Sequence, residues 1–146
     1  MGIMKSLIIK IEIVLVVFLI VCGLGLSGCG KKVPVIKFKV KADESANGGQ
    51  PVYLLIRTIN GPEFIADDYQ TIVGFFSESP LNDTVISTKF IIPGDTKKFT
   101  VKKPDDSNIA VYCMFTNPED QWKILIQKPL GKKYVLRLDN NAVELD

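Results

Sequence analysis

Three kinds of side chain in this sequence bear on chemistry: its cysteines, its paired carboxylates and the histidines it lacks. There is no histidine among the 146 residues. Imidazole general bases, Ser-His-Asp triads and His-ligated zinc sites are therefore excluded. Adjacent acids occur at Asp67-Asp68, Asp105-Asp106 and Glu119-Asp120. Neighbouring side chains point to opposite faces of a strand and diverge by about 100° around a helix, so none of these pairs is a general acid/base couple by itself. They read as solvated turn residues or helix-end charges. Calcium needs several oxygens converging from spaced positions, and the acids form no such ladder. Gly48-Gly49 reads as a loop hinge, because the pattern of a phosphate-cradling glycine loop is missing. Cys113 lies in the apolar run IAVYCMF, where a thiol packs as a small hydrophobe, and without a histidine or basic pocket nothing holds it as a thiolate. Trp122, in the alternating stretch QWKILIQK, reads as core. No catalytic residue, metal or cofactor is expected, and function is expected to lie in contact.

Cys29 is a different case, because of what precedes it. Lys5 and Lys10 make a short basic start, an apolar stretch runs from Ile13 to Leu26, and the small residues Ser27 and Gly28 follow. The stretch has a signal-peptide length rather than that of a full membrane span. Leu26-Ser27-Gly28-Cys29 resembles the bacterial lipobox. That resemblance implies cleavage before Cys29, a diacylglycerol thioether on its sulfur, and further acylation such as palmitate. Each buried methylene adds about 0.8 kcal/mol, so several acyl chains hold a domain on a bilayer durably. Cys22 is disfavoured as the modified residue, since Val21 is branched where the cut needs a small side chain. An uncleaved anchor is the alternative reading, with roughly 17 apolar residues at the short limit for a span. Gly30-Lys31-Lys32 complete a flexible basic tether, residues 29–32. Gly30, rather than an aspartate after the modified cysteine, resembles the sorting pattern of outer-membrane lipoproteins and implies the periplasmic face of that membrane.

Removing residues 1–28 from the 146 leaves 118, enough for one domain with a sizeable core. The leader takes Lys5, Lys10 and Glu12 from totals of 18 basic and 16 acidic side chains, so the remainder is nearly balanced. That balance argues against a nucleic-acid surface, which carries a strong basic excess. With Cys22 cleaved away and Cys29 acylated, Cys113 has no partner for an internal disulfide.

The elements expected from residue 33 onward are mostly strands. VPVIKFKVKA alternates, with Ile36, Phe38, Val40 and Ala42 on one face and Lys37, Lys39 and Lys41 on the other. One buried and one wet face belong to an antiparallel sheet. DESANGGQ is a polar loop without an apolar anchor, and PVYLLIRTI is a denser run suited to a central strand. GPEFIADDYQTIVGFF spaces its apolar residues helically behind Pro62, which predicts one short helix. TVISTKFII, KKFTVKK, IAVYCMFT, QWKILIQK and the hairpin KKYVLRLD-NN-AVEL supply further strands, separated by turns at Pro93–Asp95 and Asn117–Asp120. About eight short strands at such intervals indicate a β-sandwich over residues 33–146.

The order of these pieces resembles the type VI secretion system outer-membrane lipoproteins of the TssJ (VasD/SciN-like) family, across nearly the whole chain after the leader. IKFKVKADESANGGQPVYLLIRTI, EFIADDY, IIPGD and IAVYCMFTNPEDQWK carry the resemblance. Cys113 and Met114 depart from it, standing where smaller apolar residues are usual. The resemblance implies a transthyretin-like, two-sheet antiparallel β-sandwich with no enzymatic activity. It also implies a role in anchoring the periplasmic part of an inner-membrane TssM-like partner to the outer membrane. The first inter-strand loop would meet that partner: Asp43, Glu44, Ser45, Ala46, Asn47, Gly48, Gly49 and Gln50. Asn117 to Gln121 is the second candidate. A two-residue Asn-Gly turn in place of Asp43 to Gln50 is expected to leave the fold intact. The competing class is a periplasmic lipoprotein that binds or inhibits another envelope component or enzyme, although a disulfide-stapled inhibitor would carry paired cysteines. Neither reading involves nucleic acid or a small-molecule substrate.

Overall fold

The computed structural model describes residues 33–78 and 82–146. The leader (1–28), the tether (29–32), Cys22 and Cys29 lie outside the described residues. The alternation in VIKFKVKA produces β1, Val35–Ala42, with Ile36, Phe38, Val40 and Ala42 buried. Seven more strands follow: β2 (Val52–Ile59), β3 (Val85–Ile91), β4 (Thr96–Lys102), β5 (Asn108–Met114), β6 (Lys123–Ile126), β7 (Lys133–Asp139) and β8 (Ala142–Leu145). They form two four-stranded sheets, ordered β4-β1-β7-β8 and β3-β2-β5-β6. This is the expected two-layer sandwich of about eight strands.

Two features go beyond the expectation. The pairing of β1 with β7 is parallel, Phe38 opposite Tyr134 and Val40 opposite Leu136, while every other pair is antiparallel. Parallel neighbours need a long crossover, and here the chain between them passes through the other sheet before returning. The single helix expected after Gly61 is two: α1, Gly61–Ala66, and α2, Tyr69–Phe75. Asn60 caps α1 in a reciprocal box, accepting from the Glu63 N–H at 2.9 Å while the Glu63 carboxylate reaches back to the Asn60 N–H. Asp67 leaves helical conformation, and Asp68 starts the second helix by accepting from the Thr71 N–H at 2.7 Å. That bond holds the Asp68 carboxyl below its ordinary range. A strong N-cap in mid-segment ends one helix by beginning another.

The core has two parts. Between the sheets, Ile36, Phe38, Val40, Leu136 and Leu138 meet Leu54, Ile56, Ile109, Val111 and Cys113. On the outer side of the second sheet, Leu55, Ile59, Ala110, Tyr112 and Met114 are covered by Ile72 of α2. β2 and β5 are therefore buried on both faces, which is why VYLLIRTI and IAVYCM read as nearly continuous apolar runs. Ile72 is fully buried, and truncating a core side chain of that size costs about 2–5 kcal/mol. Trp122 lies at the margin of both clusters, half-buried, with its ring 5.2 Å from Tyr69 and 5.7 Å from Tyr112.

A polar network fastens the helices to this sheet. Arg57 of β2 is buried, 3.4 Å from Asp67 and 3.7 Å from Glu63, with its guanidinium 4.9 Å from the centre of the Phe75 ring. The Tyr112 hydroxyl donates to the Asp67 carboxylate. Lys123 donates to the carbonyls of Phe64 and Asp67, at 2.7 and 2.6 Å. Asp67 thus departs from the expected solvated acid: its side chain is 10% exposed, because the network draws it inward. Burial, with this hydrogen bond second, pushes the Tyr112 phenol well above its ordinary range.

Candidate functional site

Four connections gather where β1 ends: residues 43–51, 92–95, 115–122 and the turn at Asn140-Asn141. They are tied to one another through the backbone. The Ala42 N–H donates to Asp95, the Gly94 N–H to Ala42, and the Asp43 N–H to Leu138, all at 2.9–3.0 Å. The Asn47 N–H donates to Asn140, and the Val143 N–H to Gln121 at 2.8 Å. The two segments expected to meet a partner, Asp43–Gln50 and Asn117–Gln121, are therefore at the same end of the sandwich, with the Asn140-Asn141 turn between them.

The first segment is not the unanchored loop its composition suggests. Asp43, Glu44, Ser45, Gly48, Gly49 and Gln50 are exposed, but Ala46 is fully buried and Asn47 is 5% exposed. Residues Ala46–Gly49 form a short turn in which Asn47 has φ 52° and Gly48 φ 62°. Asparagine and glycine are the residues that adopt this left-handed region most readily. The Asn47 amide donates to the Pro51 carbonyl at 2.9 Å and accepts from the Thr116 N–H at 2.6 Å. One side chain thus fixes the loop to its own exit and to the end of β5. The expected hairpin replacement is also overturned: β1 and β2 belong to different sheets. A two-residue turn joins paired neighbours in one sheet, and this connection must cross the sandwich.

An apolar patch adjoins the loop that the sequence reading did not single out. Tyr53, Phe90 and Ile92 are 52%, 42% and 51% exposed. Tyr53 stands edge-on to Phe90 at 5.2 Å and to Phe76 at 5.9 Å. An open groove of about 480 Å³ runs between this pair and the loop, bordered by Asn47, Gln50, Tyr69 and Phe115. The Tyr69 hydroxyl donates to the Phe115 carbonyl, and burial raises its phenol above the usual range. Exposed aromatics rimmed by polar groups are the common anchors of protein interfaces. A signal was available in VYLLI, where Tyr53 takes the outward position of an otherwise buried strand.

The remaining candidates for chemistry are accounted for. Cys113 is fully buried, and burial pushes its thiol well above the ordinary range. Asp106 accepts a 2.6 Å bond from Lys128, which holds its carboxyl below the usual range. Glu119 and Asp120 are exposed turn residues. Among the described residues no group of His, Cys, Asp and Glu could hold a metal ion, and no helix is long and apolar enough to cross a membrane. Cys29 lies outside them.

Residues 53–138, well over half the chain, match the family model of the IglE N-terminal domain. No curated protein matches the chain in sequence. Solved structures with the same fold include a chain of a type VI membrane complex (TM-score 0.64, 18% identity, 79% of this chain and 99% of that one). The T6SS lipoprotein TssJ1 from Pseudomonas aeruginosa is similar at TM-score 0.60 and 14% identity, over 77% of this chain and 94% of that one. The T6SS protein TssM C-terminal domain from EAEC also resembles it, at TM-score 0.53 and 19% identity, over 76% and 99%. At these identities the likeness is one of fold. The sandwich expected from the sequence resemblance to type VI secretion lipoproteins is the fold observed.

Proposed function

The chain belongs to the IglE N-terminal domain family, and from that premise we propose that it is a lipoprotein of a type VI secretion membrane complex. In this reading residues 1–28 are a signal peptide, Cys29 carries the lipid, and residues 33–146 are a periplasmic domain held on the outer membrane. The domain binds the periplasmic part of an inner-membrane TssM-like protein and so anchors it. The fold alone does not separate a lipoprotein from its partner, since a TssM domain shares it. The feature favouring the lipoprotein is the lipobox-like Leu26-Ser27-Gly28-Cys29.

One observation carries the binding role. The pinned loop Asp43–Gln50, the Asn117–Gln121 segment and the exposed Tyr53–Phe90 pair lie at one end of the sandwich, while the chain enters at the other. The Pro34 carbonyl, at the entry, accepts from the Lys103 N–H beyond the end of β4. The eight residues of β1 separate the two ends by about 25 Å. A lipid tether at one end leaves the other open to a partner. The aromatic pair supplies apolar area, and the fixed loop supplies polar contacts without an ordering cost on binding.

The test is capture of a TssM-like periplasmic domain by the protein and by two variants. Tyr53→Ala with Phe90→Ala is expected to lower capture at least tenfold, about 1.4 kcal/mol. Glu44→Lys with Gln50→Lys, both at exposed positions, tests the loop. Unchanged capture by both folded variants refutes the site. Labelled palmitate tests the anchor: Cys29→Ala is expected to stay unprocessed and unlabelled, and normal labelling of that variant refutes lipidation there.

A further inference from the structure

The outer face of the β4-β1-β7-β8 sheet carries an excess of positive charge, concentrated on β4, β1 and the start of β7. Its register places Lys39 opposite Lys98, Lys37 opposite Lys133, and Lys41 opposite Arg137. Lys102 extends the same side opposite Val35. Like charges directly opposite one another on a sheet are destabilising, so this arrangement costs folding stability. No acid relieves it over β4 and β1, which contain none; the acids of this face lie toward its β8 edge, Asp139 at the end of β7 and Glu144 of β8 opposite Arg137. Among the described residues only Arg137 of these cations has an ion-pair partner, Asp146 at 3.1 Å. Both helices pack on the other sheet, and none covers this one among the described residues. Lys37, Lys39, Lys98 and Lys133 border a shallow depression of about 390 Å³, lined also by Phe38, Phe99 and Thr100. Four lysines and a threonine around one depression are the residue types that bind phosphate oxygens.

We infer that this face is a docking surface for the anionic headgroups of the membrane that bears the anchor. The choice of a membrane over an acidic protein rests on the proposed acylation of Cys29. β1 is the first strand after the tether, and six residues from Cys29 to Val35 span at most about 20 Å. The near edge of the face is thus confined close to headgroups, and Lys31-Lys32 add positive charge along the path. Each lysine near an anionic leaflet strengthens binding by about fivefold. Singly that is weak, but added to a lipid tether it orients the domain with this sheet toward the bilayer. The helices then face away, and the loop end is left free at the side for a partner.

The test omits the anchor, so it does not depend on lipidation. Residues Val33–Asp146 form their own compact unit and contain both sheets and both core clusters. This domain is sedimented with phosphatidylcholine vesicles with and without phosphatidylglycerol. It is expected to bind only the anionic vesicles and to be released near 1 M salt, where screening shortens to about 3 Å. Lys39→Gln with Lys98→Gln is expected to weaken binding about 25-fold, with a melting temperature equal to or above the parent, because a like-charge pair is gone. Lys128→Gln, off the face, is expected to change binding less than about twofold. Equal binding to neutral vesicles, or an unchanged double variant, overturns the inference. So does capture of poly-glutamate by a domain that ignores anionic vesicles, which would assign the face to an acidic protein. If Cys29 takes palmitate while the domain ignores anionic vesicles, the face fails and the anchor stands. If the domain binds while Cys29 stays unlabelled, the face stands and the anchor fails.

Discussion

Asn47 holds the interaction loop in shape, and removing its side chain has a calculable cost. Asn47→Ala deletes the bond to the Pro51 carbonyl and the bond from the Thr116 N–H. At about 1 kcal/mol net for each, these amount to about 2 kcal/mol. Alanine must also hold φ near 52°, a left-handed conformation that costs it about 1 kcal/mol. The expected loss is about 3 kcal/mol, or a melting temperature about 12 °C lower for a domain of this size. Asn47→Gly separates the two contributions: it loses the same bonds without the left-handed penalty, so it should be about 1 kcal/mol more stable than the alanine variant. Urea unfolding followed by Trp122 emission measures both, since the half-buried indole is exposed on unfolding. Partner capture should fall in both variants, because Glu44, Ser45 and Gln50 are presented by a loop that Asn47 fixes. An alanine variant within about 0.5 kcal/mol of the parent would refute the pinning argument. A glycine variant no better than alanine would refute the backbone part of it.

Further outcomes follow from the network beneath the helices. Asp67→Asn leaves Arg57 buried with only the half-exposed Glu63 at 3.7 Å, and should destabilise the fold by about 3 kcal/mol, the lower end for a broken buried pair. Tyr112→Phe should cost about 1–2 kcal/mol, and a double-mutant cycle should find the two effects non-additive. In an alkaline absorbance titration the Tyr112 phenol should stay protonated until the protein unfolds, because burial and its bond to Asp67 raise it. With the folded phenol raised above its unfolded value, this contribution is intact below about pH 10 and lost as the pH rises beyond it. A Tyr112→Phe variant that lost a phenol titrating normally near pH 10 would contradict this.

Much of the molecule was legible because the local code for strands is strong. Period-two alternation marked β1 and the side of it that is buried, and turn residues separated the later strands. The absence of histidine was enough to exclude imidazole chemistry without any structure. The denser runs of β2 and β5 pointed to central strands, although composition alone could not show that their second face is covered by helices. What the tertiary structure decided depends on residues far apart in the chain. The Asp67-Asp68 pair looks uniform in sequence, yet Asp68 caps a helix in solvent while Asp67 is drawn inward by Arg57, ten positions earlier, and Tyr112, forty-five positions later. Asn47 reads as one polar loop residue among several until Thr116 is placed beside it. The lysines of β1 and β4 each read as the wet side of an amphipathic strand, and only the cross-strand register shows that they face one another. Local pattern tells each strand which side is buried; which strands become neighbours is settled by how the whole chain closes its core, and the loop site and the charged face both depend on that choice.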